Sequence, residues 1–240
     1  MDEPTPNDTV SELLAVGRQI SAVLASPAVS PLYMQHFATQ AAEAQTHSAE
    51  WPMDVHRVCA ALKELQLGSA TRIYRVAPDY YAWPLHQRAL SVCAPSPRHM
   101  CKTVVMANTR WRPGDATPQN VCVIVQYTHT IGTQALADAV RGQYGKEGQG
   151  VSRKRFNFRL ADEGAAFAMT GFGHNGVAPI GMLQSIPVIL SASIAALRPP
   201  VLWIGAGDVD FKMAMPVDAF VDATGCLVAD ISAPATNKAR

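Results

Sequence analysis

The sequence predicts an α+β fold with a mixed β-sheet. Short apolar runs typical of strands and segments of helical periodicity follow one another without the regular alternation that a parallel βαβ sheet requires. The 240 residues are enough for one core-forming domain with an appended segment. We expect a helical extension over residues 1–70 and a main domain over residues 71–235.

Two helices are predicted in the extension. Thr9-Val10-Ser11-Glu12 has the spacing of a capping box, in which a hydroxyl and a carboxylate bind free N–H groups of the first helical turn. This helix should run to about Ala25, where Pro27 and Pro31 follow. Its apolar positions favour packing onto the body of the protein, with a short coiled coil as the alternative. A second helix is expected over residues 54–67.

The main domain should contain several short strands and three helices. Apolar runs bounded by turn residues predict strands at 72–76, 102–107, 121–127, 156–160, 186–190, 201–204, 211–215 and 227–231. Helical periodicity predicts helices at 133–144, 162–169 and 216–223.

Composition and charge exclude several classes of protein. The chain has 20 basic and 19 acidic residues, so no global field attracts a polyanion and any contact with nucleic acid must be local. The acidic N-terminus has no apolar core segment, and no run of eighteen apolar residues occurs, which favours a soluble, cytoplasmic protein.

The cysteines are expected to be reduced thiols. Their number is odd and no pair has CxxC spacing, which argues against a disulfide framework. Cys93, His99, Cys101 and Cys122 also lack the spacing of common zinc fingers, so we expect no metal site there.

Residues 170–182, TGFGHNGVAPIGM, form the most informative segment of the chain. Its glycines are surrounded by small or polar side chains and allow the main chain to approach a ligand closely. Pro179 fixes its own φ and favours an extended Ala178. The segment predicts a binding loop, with a structural hairpin or Ω-loop as the alternative.

Two other segments are candidates for contact with nucleic acid. Tyr80, Tyr81 and Trp83 lie between two prolines, and their rings are suited either to stacking on an unpaired base or to core packing. A glycine-containing loop at 142–150 precedes the basic triplet Arg153-Lys154-Arg155, with Arg159 expected on the strand phase of Arg155. The triplet predicts either phosphate contact or a charged strand edge.

Five segments, in matching order, resemble the YbaK and prolyl-tRNA synthetase-associated editing-domain family over about residues 73–232. The loop TGFGHNGVAPIGM is similar to the family's TGY…GG(I/V)SPLG loop, and CKTVVM at 101–106 to its (Y/C)KT(L/V)(V/L) strand. IPVI at 186–189 resembles LP(T/V)(I/L), WIGAG at 203–207 stands where an aromatic strand leads into SGG, and VADI at 228–231 resembles (F/V)ADI.

The resemblance implies a fold, an activity and partners. The expected fold is a curled, partly barrel-like sheet surrounded by helices. The expected activity is hydrolysis of the ester of mischarged aminoacyl-tRNA in trans, with tRNA(Pro) as the first substrate to test. An aminoacyl-tRNA synthetase or a multi-synthetase complex is a further candidate partner, and neither a cofactor nor a membrane is expected.

The resemblance also assigns candidate site residues. Lys102 matches the family's essential lysine, and the backbone N–H groups of the loop around Gly176 and Pro179 are expected to stabilise the oxyanion. A water or the neighbouring ribose hydroxyl is expected to replace a side-chain nucleophile. The expected substrate-binding residues are Thr103, Gly171, His174, Asn175, Gly176, Val177, Ala178, Pro179, Gly205, Ala206 and Gly207, and the expected nucleic-acid contacts are Arg153, Lys154 and Arg155.

Three positions depart from the family pattern. Asn175, preceded by His174, stands at a common glycine, Ala178 at a common serine or threonine, and Gly205 at a common serine. The amino-acid preference therefore cannot be inherited, and His174 and Asn175 are candidates for new hydrogen bonds to a substrate. These departures favour an alternative, a catalytically silent tRNA-binding or complex-assembly module. In that alternative the helical extension is the docking element of the module. The other possible roles of the extension are stabilisation of the main domain and a clamp for the tRNA.

Overall fold

The computed structural model describes residues 6–43, 50–144 and 152–235. The described helices are α1 (Pro6–Ala25), α2 (Ser30–Glu43), α3 (Met53–Glu64), α4 (Leu85–Ser91), α5 (Thr133–Tyr144), α6 (Glu163–Thr170), α7 (Ala192–Ala195) and α8 (Val217–Thr224). The described strands are β1 (Arg72–Arg75), β2 (Cys101–Asn108), β3 (Asn120–Gln126), β4 (His129–Ile131), β5 (Phe158–Leu160), β6 (Val188–Ser191), β7 (Val201–Gly205), β8 (Phe211–Pro216), β9 (Leu227–Ala229) and β10 (Ser232–Pro234). None of these helices is long and apolar enough to span a membrane.

The helices and the mixed sheet together give an α+β architecture, as predicted. The central sheet has the order β5-β2-β3-β6-β9, with antiparallel pairing around β2 and parallel pairing around β6. A three-stranded antiparallel sheet has the order β1-β8-β7, and β10 pairs with β4. A bridge between Met100 and Trp203 links β7 to the start of β2. The described strands do not close into a barrel.

The predicted helical extension packs on the main domain. Val55, Val58 and Leu62 of α3 are buried in the same cluster as Ile204 of β7. Phe37 of α2 packs edge-on against Trp203, with ring centroids 6.1 Å apart. The Ser21 hydroxyl of α1 donates to the carbonyl of Pro95 at 2.5 Å. The division near residue 70 remains a proposal, but α3 is not independent of the main-domain core.

Several sequence predictions were wrong in detail. Helix α1 begins at Pro6, so Thr9 lies within the helix and does not cap its start. Helix α2 was not predicted. Pro31 lies in its first turn, where proline is compatible with a helix, and so it does not mark a break as we expected. Gly142 belongs to α5 and is not part of a loop, while residues 145–150 of the predicted loop lie outside the described residues. Helices α4 and α7 and strands β4 and β10 were also missed, because they are too short to show a period.

His99 is buried, and both nitrogens of its ring have hydrogen-bond partners. The His99 ring accepts from or donates to the Ser96 hydroxyl through Nδ1 at 2.9 Å, and its Nε2 lies 3.0 Å from the carbonyl oxygen of Pro199. Because that carbonyl only accepts, Nε2 carries the proton and Nδ1 accepts from Ser96 in the neutral ring. Burial lowers the pKa of His99 to about 4. Folding therefore holds this ring in its neutral form.

We expect the free energy of unfolding to fall as the pH drops from about 6.5 to about 4, because only the unfolded chain binds the His99 proton in that window. The pKa difference corresponds to about 3 kcal/mol at most. Urea unfolding at intervals from pH 7 to pH 4 measures this loss. His99→Gln should flatten the profile relative to wild type, whereas the exposed His174→Gln should leave it unchanged. An unaltered slope in His99→Gln would contradict the prediction.

Candidate functional site

The candidate site is a pocket beside the first half of β2, where the central sheet has an open edge. Strand β5 pairs with residues 106–108 of β2, so no described strand pairs with residues 101–104 on that side. Strand β7 approaches the same edge at the bridge between Met100 and Trp203. The gap between β5 and β7 contains a cavity of about 390 Å³. The split in the sheet therefore creates the pocket.

Lys102 and Thr103 bring polar groups to this edge. Lys102 is half-buried and lines the pocket, and among the described residues its ammonium has no hydrogen-bond or ion-pair partner. Thr103 is buried, and its hydroxyl also has no described hydrogen-bond partner. Five aromatic residues belong to the lining: Tyr80, Tyr81, Tyr127, Phe172 and Trp203. The pocket thus combines an unpaired cation with an aromatic lining.

The glycine-rich loop at 170–182 contributes another wall. Gly173, His174, Asn175 and Val177 line the pocket. Asn175 has a φ of 62°, in the left-handed region that asparagine tolerates better than other non-glycine residues. The Tyr81 hydroxyl donates to the carbonyl of Asn175 at 2.9 Å. Tyr81 therefore holds the loop against the aromatic cluster.

Close packing at Gly205 and apolar burial at Ala178 explain two departures from the family pattern. A Cβ atom at Gly205 would lie 2.6 Å from the carbonyl oxygen of Val177, so the common serine does not fit this backbone. Ala178 is completely buried in the apolar cluster that contains α3, where a hydroxyl would need a partner. Together with the left-handed backbone of Asn175, these features give each of the three departures a structural reason.

The structure separates the predicted site residues into two groups. Those that line the pocket are Lys102, Thr103, His174, Asn175, Val177 and Gly205, and those that lie outside its lining are Gly171, Gly176, Ala178, Pro179, Ala206 and Gly207. The N–H of Gly176 donates to the carbonyl of Gly173 at 3.0 Å, and Pro179 has no N–H. Within the loop around Gly176 and Pro179, these two residues therefore offer no free N–H group themselves.

Other N–H groups of the loop are available instead. Within the described ranges, the N–H groups of Gly173, His174, Asn175 and Val177 have no acceptor, and all four residues line the pocket. His174 itself is exposed, with its Nδ1 3.8 Å from a carboxylate oxygen of Glu163. The loop can thus offer main-chain donors without side-chain chemistry.

Arg57 of α3 fastens both ends of the loop, a role that sequence reasoning missed. Its Nε donates to the carbonyl of Gly181 at 2.8 Å, and its Nη2 donates to the carbonyl of Gly171 at 3.0 Å. The guanidinium carbon lies 4.5 Å from the centre of the Phe172 ring. Nη1 pairs with Asp54 at 2.7 Å. Only the fold brings α3 to this loop, so no local sequence signal indicated the contact.

Lys212 is a second pocket cation that was missed. Its side chain is buried, with 4% of the residue exposed. Nζ donates to the carbonyls of Val209 at 2.7 Å and Phe211 at 3.0 Å. Nζ also lies 4.9 Å from the centre of the Tyr81 ring. A lysine in the otherwise apolar run FKMAM was the available sequence signal.

The basic triplet lies outside this pocket and is largely paired. Arg153 binds Asp138 at 2.7 Å, and Arg155 forms an ion pair with Asp115. The three residues form a short 3₁₀ turn before β5, so Arg155 and Arg159 do not share a strand, contrary to the prediction. Lys154 is exposed. The triplet therefore offers less free positive charge than its sequence indicates.

Solved structures share this fold at low sequence identity. A candidate trans-editing enzyme for prolyl-tRNA synthetase matches with a TM-score of 0.60 and 17% identity, over 77% of this chain and 99% of that chain. A scaffold protein for computational epitope grafting matches with a TM-score of 0.59 and 18% identity, over 77% of this chain and 100% of that chain. The hypothetical protein APE2540 matches with a TM-score of 0.56 and 17% identity, over 74% of this chain and 99% of that chain.

These likenesses confirm the fold that the resemblance to YbaK-like editing domains implied. No family model matches the chain, and no curated protein matches it.

Proposed function

We propose that this protein is a trans-editing aminoacyl-tRNA deacylase, which hydrolyses the ester of mischarged tRNA. The observation that supports it best is that one pocket is lined both by Lys102, whose ammonium has no described partner, and by loop residues 173–175 and 177, whose N–H groups have no described acceptor. An ester carbonyl needs such donors when its oxygen becomes negatively charged. The likeness in fold to a candidate trans-editing enzyme for prolyl-tRNA synthetase agrees with this proposal.

The proposed reaction is a direct hydrolysis. Water adds to the ester carbon, the bond from that carbon to the ribose oxygen breaks, and the ribose oxygen leaves with a proton from the water. The N–H groups of Gly173 and Asn175 and the Lys102 ammonium stabilise the oxyanion of the tetrahedral intermediate. The products are a free amino acid and an uncharged tRNA. The neighbouring ribose hydroxyl can orient the water.

A thiol nucleophile is not needed, and the Cys101 thiol is poorly suited to that role. Cys101 adjoins Lys102 in β2 and lines the pocket, but it is buried in the apolar cluster. Burial also raises the pKa of the Cys101 thiol well above its ordinary value. Because the thiolate is the reactive form, Cys101 is a core residue and not a catalytic one.

Such an enzyme is needed because a synthetase cannot distinguish similar amino acids well enough by binding alone. A synthetase pocket distinguishes one methylene group by only about 1 to 3 kcal/mol, so a second site must remove the product of the wrong choice. The described pocket would hold the aminoacyl group and the adjoining ribose of the tRNA 3′ end. Lys154, the exposed member of the basic triplet, is a candidate phosphate contact.

A panel of mischarged tRNAs tests this function. We expect the full-length protein to cleave at least one member of a broad panel, which includes alanyl-, cysteinyl- and seryl-tRNA(Pro) and the aspartyl and glutamyl esters, at least tenfold faster than buffer does. Correctly charged prolyl-tRNA(Pro) is the control and should be spared. If no ester of the panel is cleaved, the enzyme proposal fails. Binding of tRNA without turnover would instead support the silent module that the three departures suggested.

A further inference from the structure

Lys212 places a second positive charge in the pocket, from a strand that carries none of the recognisable motifs. In the register of β7 and β8, Lys212 lies directly across from Gly205, so the two residues share a face of the three-stranded sheet. Nζ lies 4.9 Å and 5.6 Å from the centres of the Tyr81 and Tyr80 rings. The lysine is therefore fixed between the sheet and the aromatic lining.

The ammonium of Lys212 keeps one donor free. Burial lowers its pKa to about 8, against the opposing effect of Asp208 and Asp210, so the charged form predominates at neutral pH. An ammonium has three N–H donors, and two of them bind the carbonyls of Val209 and Phe211. Within the described part of the chain, Lys212 forms no ion pair. One donor is thus left for a ligand, on an ammonium whose charge Asp208 and Asp210 offset only in part and without an ion pair.

Two hydroxyls in the same pocket also lack partners. The oxygen atoms of Tyr80 and Thr103 are buried and form no hydrogen bond with a described residue. Buried polar groups are normally hydrogen-bonded, so each of these hydroxyls has room for one more partner, an ordered water or a ligand group. Both hydroxyls and the Lys212 ammonium can donate, and a carboxylate has about four sites that accept.

The charged side chains that line the pocket favour an anion, although Asp208 and Asp210 act on Lys212 from outside the lining. Lys102 lines the pocket as well, and the Arg88 guanidinium lies 5.1 to 5.8 Å from the centres of three tyrosine rings that line it. Glu163 is the one carboxylate among the described lining residues, and its side chain is 76% exposed beside His174. Cationic side chains of a substrate are therefore repelled, whereas an anionic one is attracted.

We propose that Lys212 makes the pocket selective for an aminoacyl group with a side-chain carboxylate. In an aminoacyl ester the α-carboxyl group is consumed by the bond to ribose, so a recognised carboxylate must belong to the side chain. This inference rests on the proposed deacylase function and narrows its substrate to aspartyl and glutamyl esters. Lys212 would bind one carboxylate oxygen, and the Thr103 and Tyr80 hydroxyls are the other donors available.

Aspartyl and asparaginyl esters on the same tRNA provide the test, because the two side chains have nearly the same shape and differ in charge. We expect wild type to have a kcat/KM at least tenfold higher for the aspartyl ester. Lys212→Met keeps an apolar stem without the charge and should lower that ratio at least tenfold. Thr103→Val should lower the ratio as well. A wild-type ratio near one, or a ratio that Lys212→Met leaves unchanged, overturns the inference.

Binding separates the failure of this inference from the failure of the function. Hydrolysis-resistant 3′-amide analogues of aspartyl- and asparaginyl-adenosine can be titrated into the full-length protein by calorimetry. If no ester is cleaved, the deacylase proposal fails, but at least tenfold tighter binding of the aspartyl analogue still supports selection by charge. Equal binding of the two analogues overturns it. Circular dichroism checks that Lys212→Met is folded, and where it is not, Thr103→Val and the wild-type titration decide.

Discussion

Lys102→Met should lower kcat/KM for ester hydrolysis by on the order of 10²-fold or more. Lys102 lines the pocket and its ammonium has no described partner, so in the proposed reaction its charge is available to the ester carbonyl and to the oxyanion that forms there. Methionine preserves most of the apolar stem, and the change therefore removes the charge with little loss of packing. Single-turnover deacylation of the best substrate from the panel measures the effect.

A second lysine provides the control for this prediction. Lys63 is exposed near the end of α3 and does not line the pocket, so Lys63→Met should retain wild-type kcat/KM. Lys102→Met should unfold in urea at nearly the wild-type midpoint, because an unpaired, half-buried lysine contributes little to stability. Full activity in Lys102→Met would remove this residue from the mechanism and leave the loop N–H groups as the principal source of stabilisation.

The sequence was sufficient for the fold class because several of its helical and apolar segments are long enough to be recognised singly. The predicted helix at 133–144 coincides with α5, and the strands around Lys102 and Val121 lie within one residue of β2 and β3. Strand β3 is buried on both faces, which gives a continuous apolar run that is easy to recognise. The split of the sheet beside β2 depends on which strands pair, and no local pattern encodes that choice.

The site was predictable only where a motif carried it. Lys102 and the 170–182 loop stand in segments that resemble a family, and the fold brings both to one pocket. Arg57 lies in an ordinary-looking helical segment, and Lys212 is marked only as a lysine within an apolar strand. Their importance arises from burial and from contacts between residues more than a hundred positions apart, as between Arg57 and Gly181. A single sequence contains no local record of such contacts.

The α3 helix has a direct role in the geometry of the site through Arg57. The Arg57 guanidinium donates to the carbonyls of Gly171 and Gly181, at the two ends of the 170–182 loop. It also covers the Phe172 ring between them. A planar guanidinium serves several acceptors at fixed angles, which a lysine ammonium cannot reproduce. Arg57 is therefore a positioning residue, which acts on the substrate through the loop that it holds.

We expect Arg57→Met to lower the free energy of unfolding by about 2 to 4 kcal/mol, because it leaves half-buried carbonyls without their charged donor. It should also reduce kcat more than it raises KM, since a loosened loop presents its N–H groups less accurately in the transition state. Arg57→Lys should restore part of the stability but little of kcat. Urea unfolding and steady-state deacylation measure the two effects separately.

Two further variants distinguish a loop clamp from a simple ion pair. Arg141 and Asp138 form an ion pair with the same three-residue spacing on α5, at 3.7 Å, so Arg141→Met should cost at most about 1 kcal/mol. Asp54→Asn removes the carboxylate partner of Arg57 but leaves its bonds to the loop carbonyls, and its cost should be similarly small. If Arg57→Met cost no more than these two changes, the loop would be held by its own backbone and by Tyr81. In that case α3 would contribute to the core alone.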